Sequence, residues 1–295
     1  MKKIIYIILA LGLLGCSKNP LIITPEEEEK FNLEVIYLDE TEPVIEFLNS
    51  AQTGLLTSEM MGPGGLVVLS YYQFVDDFGN RYDTTLAYAL FRDMSSPPIN
   101  MGRWRERKGL DLGDVYLENI KLEKSTREMR TPQQHHARMD TSYGVEYKLK
   151  ITNFDFKHSK NHKFKIINKT GLEQNFELNT PDKKEFESLP EYDGKNLKLK
   201  FKSKTDSLNI IVNIPLSTQD KFVTKPVMML KFKNLSDSKI KIDSTIINLI
   251  PSEYRRNYLI FSIVQERKSD INILGYPGNV KGFVSSTLYF KVNLR

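Results

Sequence analysis

The chain has 295 residues, of which 40% are hydrophobic and 27% are charged, and its formal net charge is +5. This apolar content is enough for a folded core, so disorder throughout the chain is excluded. The single cysteine excludes an internal disulfide framework. Only one long apolar run is present, which excludes a protein with several membrane-spanning helices.

The first sixteen residues have the pattern of an export signal. Lys2 and Lys3 precede an apolar run over residues 4–14. A helix of this length covers about 16 Å, half of the ~30 Å bilayer core, so the run is too short for a permanent span. At its end an aliphatic residue, a tolerant position and a small residue precede Cys16, the only cysteine of the chain. This arrangement predicts a signal peptide that is removed during export.

Residues 13–16, LLGC, resemble the lipobox of bacterial lipoprotein signal peptides. The resemblance covers residues 1–16 only, and it implies cleavage before Cys16 and lipidation of that residue. It also implies anchoring to a membrane of the bacterial cell envelope, with the outer membrane favoured. The mature chain then has no free thiol, which excludes cysteine catalysis. The alternative is an ordinary secretory signal with an incidental cysteine.

Residues 16–30 predict a polar tether between the signal peptide at 1–15 and a folded body from residue 31. Pro20 and Pro25 discourage regular structure, and the four glutamates at 26–29 repel one another and extend the segment. The acidic run also resembles surface-export signals of some lipoproteins. It starts ten residues after the cysteine, further than such signals usually allow, so a solvated linker is favoured.

From residue 31 onward the apolar residues recur with a period of two, which predicts β-strands. Residues 66–75 and 84–91, with a turn-forming cluster between them, predict a β-hairpin. Further strands are predicted at residues 115–122, 145–153, 162–167, 175–178, 197–202, 208–214, 227–233, 239–242, 258–265 and 288–294. At most one short helix is expected, within residues 42–58 or near residues 251–256.

The predicted fold is all-β, with two tandem antiparallel β-sandwich units. A polar, proline-marked stretch after residue 178 predicts an N-terminal sandwich over residues 31–181 and a C-terminal sandwich over residues 182–295. The second unit resembles immunoglobulin-like and fibronectin-type domains in architecture only, because it has neither a core tryptophan nor a cysteine pair. No alternation of strands and helices is present, which argues against a nucleotide-binding α/β fold.

Charge is distributed unevenly along the mature chain. Residues 16–155 contain 15 basic and 23 acidic side chains, whereas residues 156–295 contain 25 basic and 14 acidic ones. Opposite charges attract, so we hypothesise that the acidic part packs against the basic part, within one chain or between molecules.

Three lysines form the clearest candidate binding surface. Lys198, Lys200 and Lys202 alternate with apolar residues, and alternate residues of a strand share one face. A basic face can dock on anionic lipid, an anionic glycan or an acidic envelope protein. The alternative, which is favoured, is a solubilising face that blocks aggregation at sheet edges.

A second candidate binding cluster contains Arg103, Trp104, Arg105 and Arg107. A tryptophan flanked by arginines can stack on a sugar or form the centre of a protein interface. The alternative is a tryptophan that closes the edge of a sandwich while its arginines pair with the acidic N-terminal part.

No catalytic residue, metal or cofactor is predicted. The acidic turn around Asp76 lacks the spacing of an EF-hand loop, so its carboxylates indicate an ordinary turn rather than a calcium site. His158 and His162 are four residues apart but lack an accompanying zinc motif. No nucleophile elbow is present. Nucleic acid is not an expected partner, because the basic pattern has lysine rather than arginine with interleaved aromatic residues.

These observations predict a membrane-anchored envelope lipoprotein that acts in binding or envelope assembly, without enzymatic activity. Its expected partners are the membrane, through the N-terminal lipid, and an envelope protein or anionic glycan. One alternative is a carbohydrate-binding surface lipoprotein, which needs exposed aromatics from among Tyr71, Tyr72, Tyr82 and Tyr88. The other is a secreted hydrolase, which needs a deep pocket where histidine and carboxylate groups converge.

Overall fold

The computed structural model describes residues 21–23, 32–37, 64–100, 105–128, 142–150, 154–216, 223–235, 237–252 and 258–294. The prediction of an all-β protein is confirmed, because the described residues form nineteen strands and one short helix. The predicted signal peptide and Cys16 lie outside the described residues. In the part that is described, no helix is long and apolar enough to cross a membrane.

Each predicted segment overlaps at least one strand, but the segment 115–122 forms two strands joined by a turn, and residues 151–153 of another segment lie outside the described residues. The strands are β1 (Leu21–Ile23), β2 (Asn32–Tyr37), β3 (Gly65–Val75), β4 (Arg81–Phe91), β5 (Ile99–Asn100), β6 (Arg105–Glu106), β7 (Asp114–Leu117), β8 (Ile120–Lys121), β9 (Glu123–Glu128), β10 (Ser142–Lys148), β11 (Asn161–Ile167), β12 (Glu173–Asn179), β13 (Phe186–Tyr192), β14 (Asn196–Phe201), β15 (Ser207–Leu216), β16 (Val223–Lys233), β17 (Lys239–Asp243), β18 (Tyr258–Ile271) and β19 (Val280–Asn293). Helix α1 (Ser244–Asn248) follows β17.

Seven strands form the main sheet, in the order β1-β2-β16-β15-β18-β19-β3. Neighbouring strands are antiparallel except β19 and β3, which are parallel. The predicted hairpin of β3 and β4 forms, with backbone hydrogen bonds from Asp76 to Asn80 at its turn and from Arg92 to Gly64 at its open end. Strand β4 also belongs to the three-stranded sheet β4-β10-β9.

Two smaller sheets pack on one face of the main sheet and enclose two cores. The sheet β13-β14-β17 contributes Leu199 to a core that contains Ile210 and Phe261 of the main sheet. The sheet β12-β11-β7-β8 contributes Phe164 to a second core that contains Leu69 of β3. This layering is that of a β-sandwich, in which inward-facing residues of two sheets interdigitate.

The predicted domain boundary, between residues 181 and 182, falls between β12 and β13. Strands from both sides of it share the main sheet: Val35 of β2 pairs with Leu230 of β16, and Leu69 of β3 pairs with Val284 of β19. The two segments are therefore connected by main-chain hydrogen bonds along two strand pairs, not only by a linker. The division into two units stays a prediction.

Part of the predicted tether is strand. Leu21–Ile23 pair with Leu33–Val35, so β1 adds an edge to the main sheet. The described fold consequently begins five residues after Cys16 in the sequence.

Ion pairs join the acidic and basic parts of the chain. Lys233 contacts Glu34 at 3.4 Å, and Lys291 contacts Asp77 at 2.7 Å. The two parts therefore make contact within one molecule, as the charge distribution suggested.

Residues 42–58 and 253–256, where at most one short helix was expected, lie outside the described residues, and the described helix α1 precedes the second of these regions. Asp243 caps it by accepting a hydrogen bond from the backbone N–H of Thr245 at 2.8 Å. Ile246 and Ile247 are buried in the core that also contains Leu199. Capping and burial of one apolar face are sufficient to form a single helical turn here.

Candidate functional site

A cleft of about 280 Å³ lies between the β3–β4 turn and strand β13. The described residues that line it are Gln73, Val75, Phe78, Gly79, Arg81, Phe186, Glu187, Ser188, Leu189 and Leu288. They come from β3, the turn, β4, β13 and β19. The cleft thus lies where β13, the edge strand of its small sheet, meets the hairpin.

The β3–β4 turn is held in shape by the carboxylate of Asp76. This carboxylate accepts hydrogen bonds from the backbone N–H groups of Phe78 and Asn80 at 2.9 and 2.8 Å. The Asn80 side chain donates a further bond, which lowers the pKa of Asp76. The fixed turn leaves the Phe78 side chain 89% exposed at the rim of the cleft. The Asp76 carboxylate is therefore used for the turn itself.

The opposite wall of the cleft is strand β13. The Phe186 ring packs between the rings of Phe201 and Phe290, with centroid distances of 5.3 and 5.0 Å. This packing fixes the start of the strand on the core. Three residues later, Leu189 is 48% exposed. Leu189 and Phe78 are therefore large apolar side chains that remain in contact with water on two sides of one cleft.

A chain of polar side chains extends from the cleft toward the second core. The Gln73 amide donates to the Tyr71 hydroxyl at 3.1 Å, and that hydroxyl donates to Asp83 at 3.0 Å. Burial, together with the hydrogen bond to Asp83, raises the pKa of Tyr71 above its ordinary range. The tyrosine thus remains a hydrogen-bond donor at any physiological pH.

The charged groups beside the cleft are paired with one another. Glu185 contacts Arg81 at 3.1 Å, Lys202 at 2.7 Å and also Lys183. Hydrogen bonds from Lys183 and Lys202 lower the pKa of Glu185 to about 2. Glu187, which lines the cleft, contacts Lys200 at 2.7 Å. These groups are four cations and two carboxylates, so a formal charge of +2 remains beside the cleft.

Replacing Glu185 with glutamine is expected to lower the free energy of unfolding at pH 7 by about 1 kcal/mol, because exposed ion pairs contribute little each. The folded pKa of about 2 lies below the ordinary value of 4.5. The carboxylate therefore stabilises the fold fully above pH 4.5, and this contribution disappears as the pH falls toward 2. Urea unfolding of both proteins between pH 7 and 2 measures the difference. A difference that does not change with pH would contradict the assignment.

Lys198 and Lys200 lie on the outward face of β14, as the alternation predicted, and Lys202 directly follows the strand. Each ammonium group contacts a carboxylate within 2.8 Å. The partners are Asp193, Glu187 and Glu185, respectively. The face therefore forms a ladder of ion pairs, and a role in binding anionic ligands stays a prediction.

The arginine and tryptophan cluster is described only in part. Arg103 and Trp104 lie outside the described residues, and so does the side chain of Arg105, whose backbone belongs to β6. The Arg107 guanidinium donates to the carbonyl oxygen of Met94 at 3.2 Å and to a second carbonyl in the same loop. Arg107 thereby holds the loop that follows β4. The predicted binding role of the cluster stays a prediction.

The four candidate tyrosines do not form a flat aromatic platform. Tyr71, Tyr72 and Tyr88 are buried, whereas Tyr82 is 60% exposed. A sugar-binding face needs several exposed rings, and this group supplies one.

Both histidines of the spaced pair are used in packing. His162 contacts Glu118 through Nδ1 at 3.0 Å and accepts a hydrogen bond from the backbone N–H of Lys157 through Nε2. His158 packs edge-on against the Tyr71 ring. Within the described ranges, no group of three or more histidine, cysteine or acidic side chains is placed to hold a metal ion.

Sequence reasoning did not single out Phe78 or Leu189, the exposed apolar residues of the cleft. Phe78 was assigned to a turn. Turns favour Gly, Pro, Asn, Asp and Ser, so a phenylalanine at this position is unusual and is the sequence feature that could have identified it as a functional residue. Compared with models of known protein families and with curated proteins, the chain has no match.

Proposed function

We propose that the protein is a cell-envelope lipoprotein, anchored through Cys16 to a membrane, with the outer membrane favoured. Its β-sandwich body acts as a non-enzymatic binding module, and the cleft between the β3–β4 turn and β13 is its recognition site. The lipobox resemblance supports the anchor. The exposed pair of Phe78 and Leu189 at the cleft is the observation that carries the binding function.

The chemistry of the cleft favours an uncharged, apolar group of a protein partner. Exposed large apolar side chains gain free energy when a partner removes them from water. The cleft volume of about 280 Å³ lies just below the ~300–1,000 Å³ of small-molecule sites. A partner that places an apolar side chain in this cleft would cover both Phe78 and Leu189.

A catalytic role receives less support from the same residues. The described lining includes one carboxylate, Glu187, which is paired with Lys200, and it includes no histidine. A hydrolytic site needs a nucleophile beside a base that is held by a third group. The contents of the cleft therefore favour binding over hydrolysis.

Photo-crosslinking from the cleft tests this function. A photoreactive phenylalanine analogue replaces Leu189 in the full chain, expressed in cells that process lipoproteins. Because the cleft contacts one partner, we expect an adduct of discrete mass after irradiation. The matched control places the analogue at Leu274, a 75% exposed leucine in the turn between β18 and β19. Identical adducts from both positions, or none from position 189, would contradict the proposal.

A further inference from the structure

The register of the main sheet fixes where the chain enters the fold. One row of paired residues, with one residue from each strand, crosses all seven strands of the main sheet. We define the residues of this row as lying at the same level. In order across the sheet, they are Leu21, Val35, Leu230, Ile210, Ile263, Leu288 and Gln73. Because β1 and β3 run in opposite directions, β1 begins at the end of the sheet where β3 meets its turn.

We define this end of the sheet as the turn end. Cys16 precedes Leu21 by five residues, so their Cα atoms are separated by at most about 18 Å. In β3 the residue at this level is Gln73, and the turn begins at Asp76, three residues or about 10 Å further along the chain. A bilayer that holds Cys16 is thus within reach of the turn that presents Phe78.

Exposed apolar side chains are concentrated at the same end. Six large hydrophobic residues are exposed in the described part of the chain, and four of them lie at the turn end. Those four are Tyr37, Phe78, Tyr82 and Leu189. Tyr37 ends β2, and Tyr82 is the second residue of β4. Leu274 lies at the opposite end of the sheet. Aromatic rings with one polar group are favoured at the boundary between lipid and water.

We propose that the turn end rests on the bilayer that holds Cys16, with the exposed Tyr37 and Tyr82 rings at the level of the lipid headgroups and the cleft beside Phe78 left open to its protein partner. The proposal rests on the lipid anchor described above and adds an orientation to it. The two tyrosine rings are a second contact with the membrane, beside the acyl chains. The cleft then lies close to the membrane surface, where its protein partner is also located.

Site-directed spin labelling tests the orientation. Acylation blocks the thiol of Cys16, so a cysteine introduced by Tyr82→Cys or Leu274→Cys is the only one that a nitroxide reagent can modify. Both positions are exposed, so neither substitution disturbs a core. The lipidated protein is incorporated into vesicles of phosphatidylethanolamine and phosphatidylglycerol. Collision rates are then measured with oxygen, which concentrates in lipid, and with a nickel chelate, which stays in water.

We expect the ratio of oxygen to nickel collisions at position 82 to exceed that at position 274 several-fold. Flotation of the same vesicles separates the two proposals. If the protein does not float with the lipid, the anchor itself is wrong. If it floats and both labels collide equally with nickel, the anchor stands and the orientation is overturned.

Discussion

The substitution Cys16→Ser is expected to leave the chain unprocessed, with its signal peptide attached, or to move it from the membrane fraction to the soluble fraction. Acyl chains contribute ~0.8 kcal/mol per buried methylene, and one myristoyl chain alone gives an association constant of about 10⁴ M⁻¹. For a protein that has lost its signal peptide, loss of several chains should therefore lower the membrane partition coefficient by at least about ten-thousand-fold. Flotation of cell membranes followed by immunoblotting measures this.

The neighbouring substitution Ser17→Ala is the matched control, since it changes the next residue and keeps the lipobox cysteine. We expect Ser17→Ala to float like the wild type. If Cys16→Ser has lost its signal peptide and also floats like the wild type, attachment through this cysteine is refuted.

The largest expected loss of stability follows Gly144→Ala. Gly144 lies in β10 with φ of 90°, and a Cβ atom there would lie 2.0 Å from the carbonyl oxygen of Gly109. A left-handed φ is unfavourable for alanine, and backbone atoms cannot give way as a flexible side chain can. We expect the free energy of unfolding to fall by about 4 kcal/mol, as backbone strain and overpacking add. Urea unfolding measures the change.

Gly171→Ala separates the two causes. Gly171 has φ of 84°, close to that of Gly144, but a Cβ atom there would meet nothing within 4 Å. Alanine at this position is therefore expected to cost only the conformational penalty, about 1 kcal/mol. If both variants lose the same stability, the close approach of Gly109 to Gly144 is not the reason that alanine is unfavourable at position 144.

Local alternation was sufficient to predict the strands in which apolar and polar residues alternate clearly. The hairpin was expected at residues 66–75 and 84–91, and the structure has Gly65–Val75 and Arg81–Phe91. The outward face of β14 was predicted for the same reason, because side chains alternate between the two faces of any strand. These features depend only on residues that are close together in the sequence, so they can be predicted from the sequence alone.

Long-range pairing is not visible in local alternation. Strand β18 was expected at residues 258–265 but continues to Ile271, because its exposed polar segment still pairs with β19 through main-chain hydrogen bonds. The parallel pairing of β3 with β19 joins segments about two hundred residues apart. No periodicity of either strand specifies this partner.

The candidate site could not be predicted for the same reason. Phe78 and Leu189 are more than one hundred residues apart, and only the folded chain places them on one cleft. Strand β13, which supplies Leu189, was not predicted, because Pro190 and the flanking glutamates obscure its alternation. Because β13 was not predicted, Glu187 and the adjacent Glu185 were not recognised as the partners of Lys200 and Lys202.

The central claim, that the protein is anchored through Cys16 and binds an envelope partner in the cleft, is tested most directly by one comparison. Photo-crosslinking from position 189 is carried out in the wild-type background and in Cys16→Ser. Because the anchor brings the cleft to its partner, we predict a discrete adduct in the wild type that is lost in Cys16→Ser. An equally strong adduct in both backgrounds would contradict the account, because the partner would then be bound without the membrane.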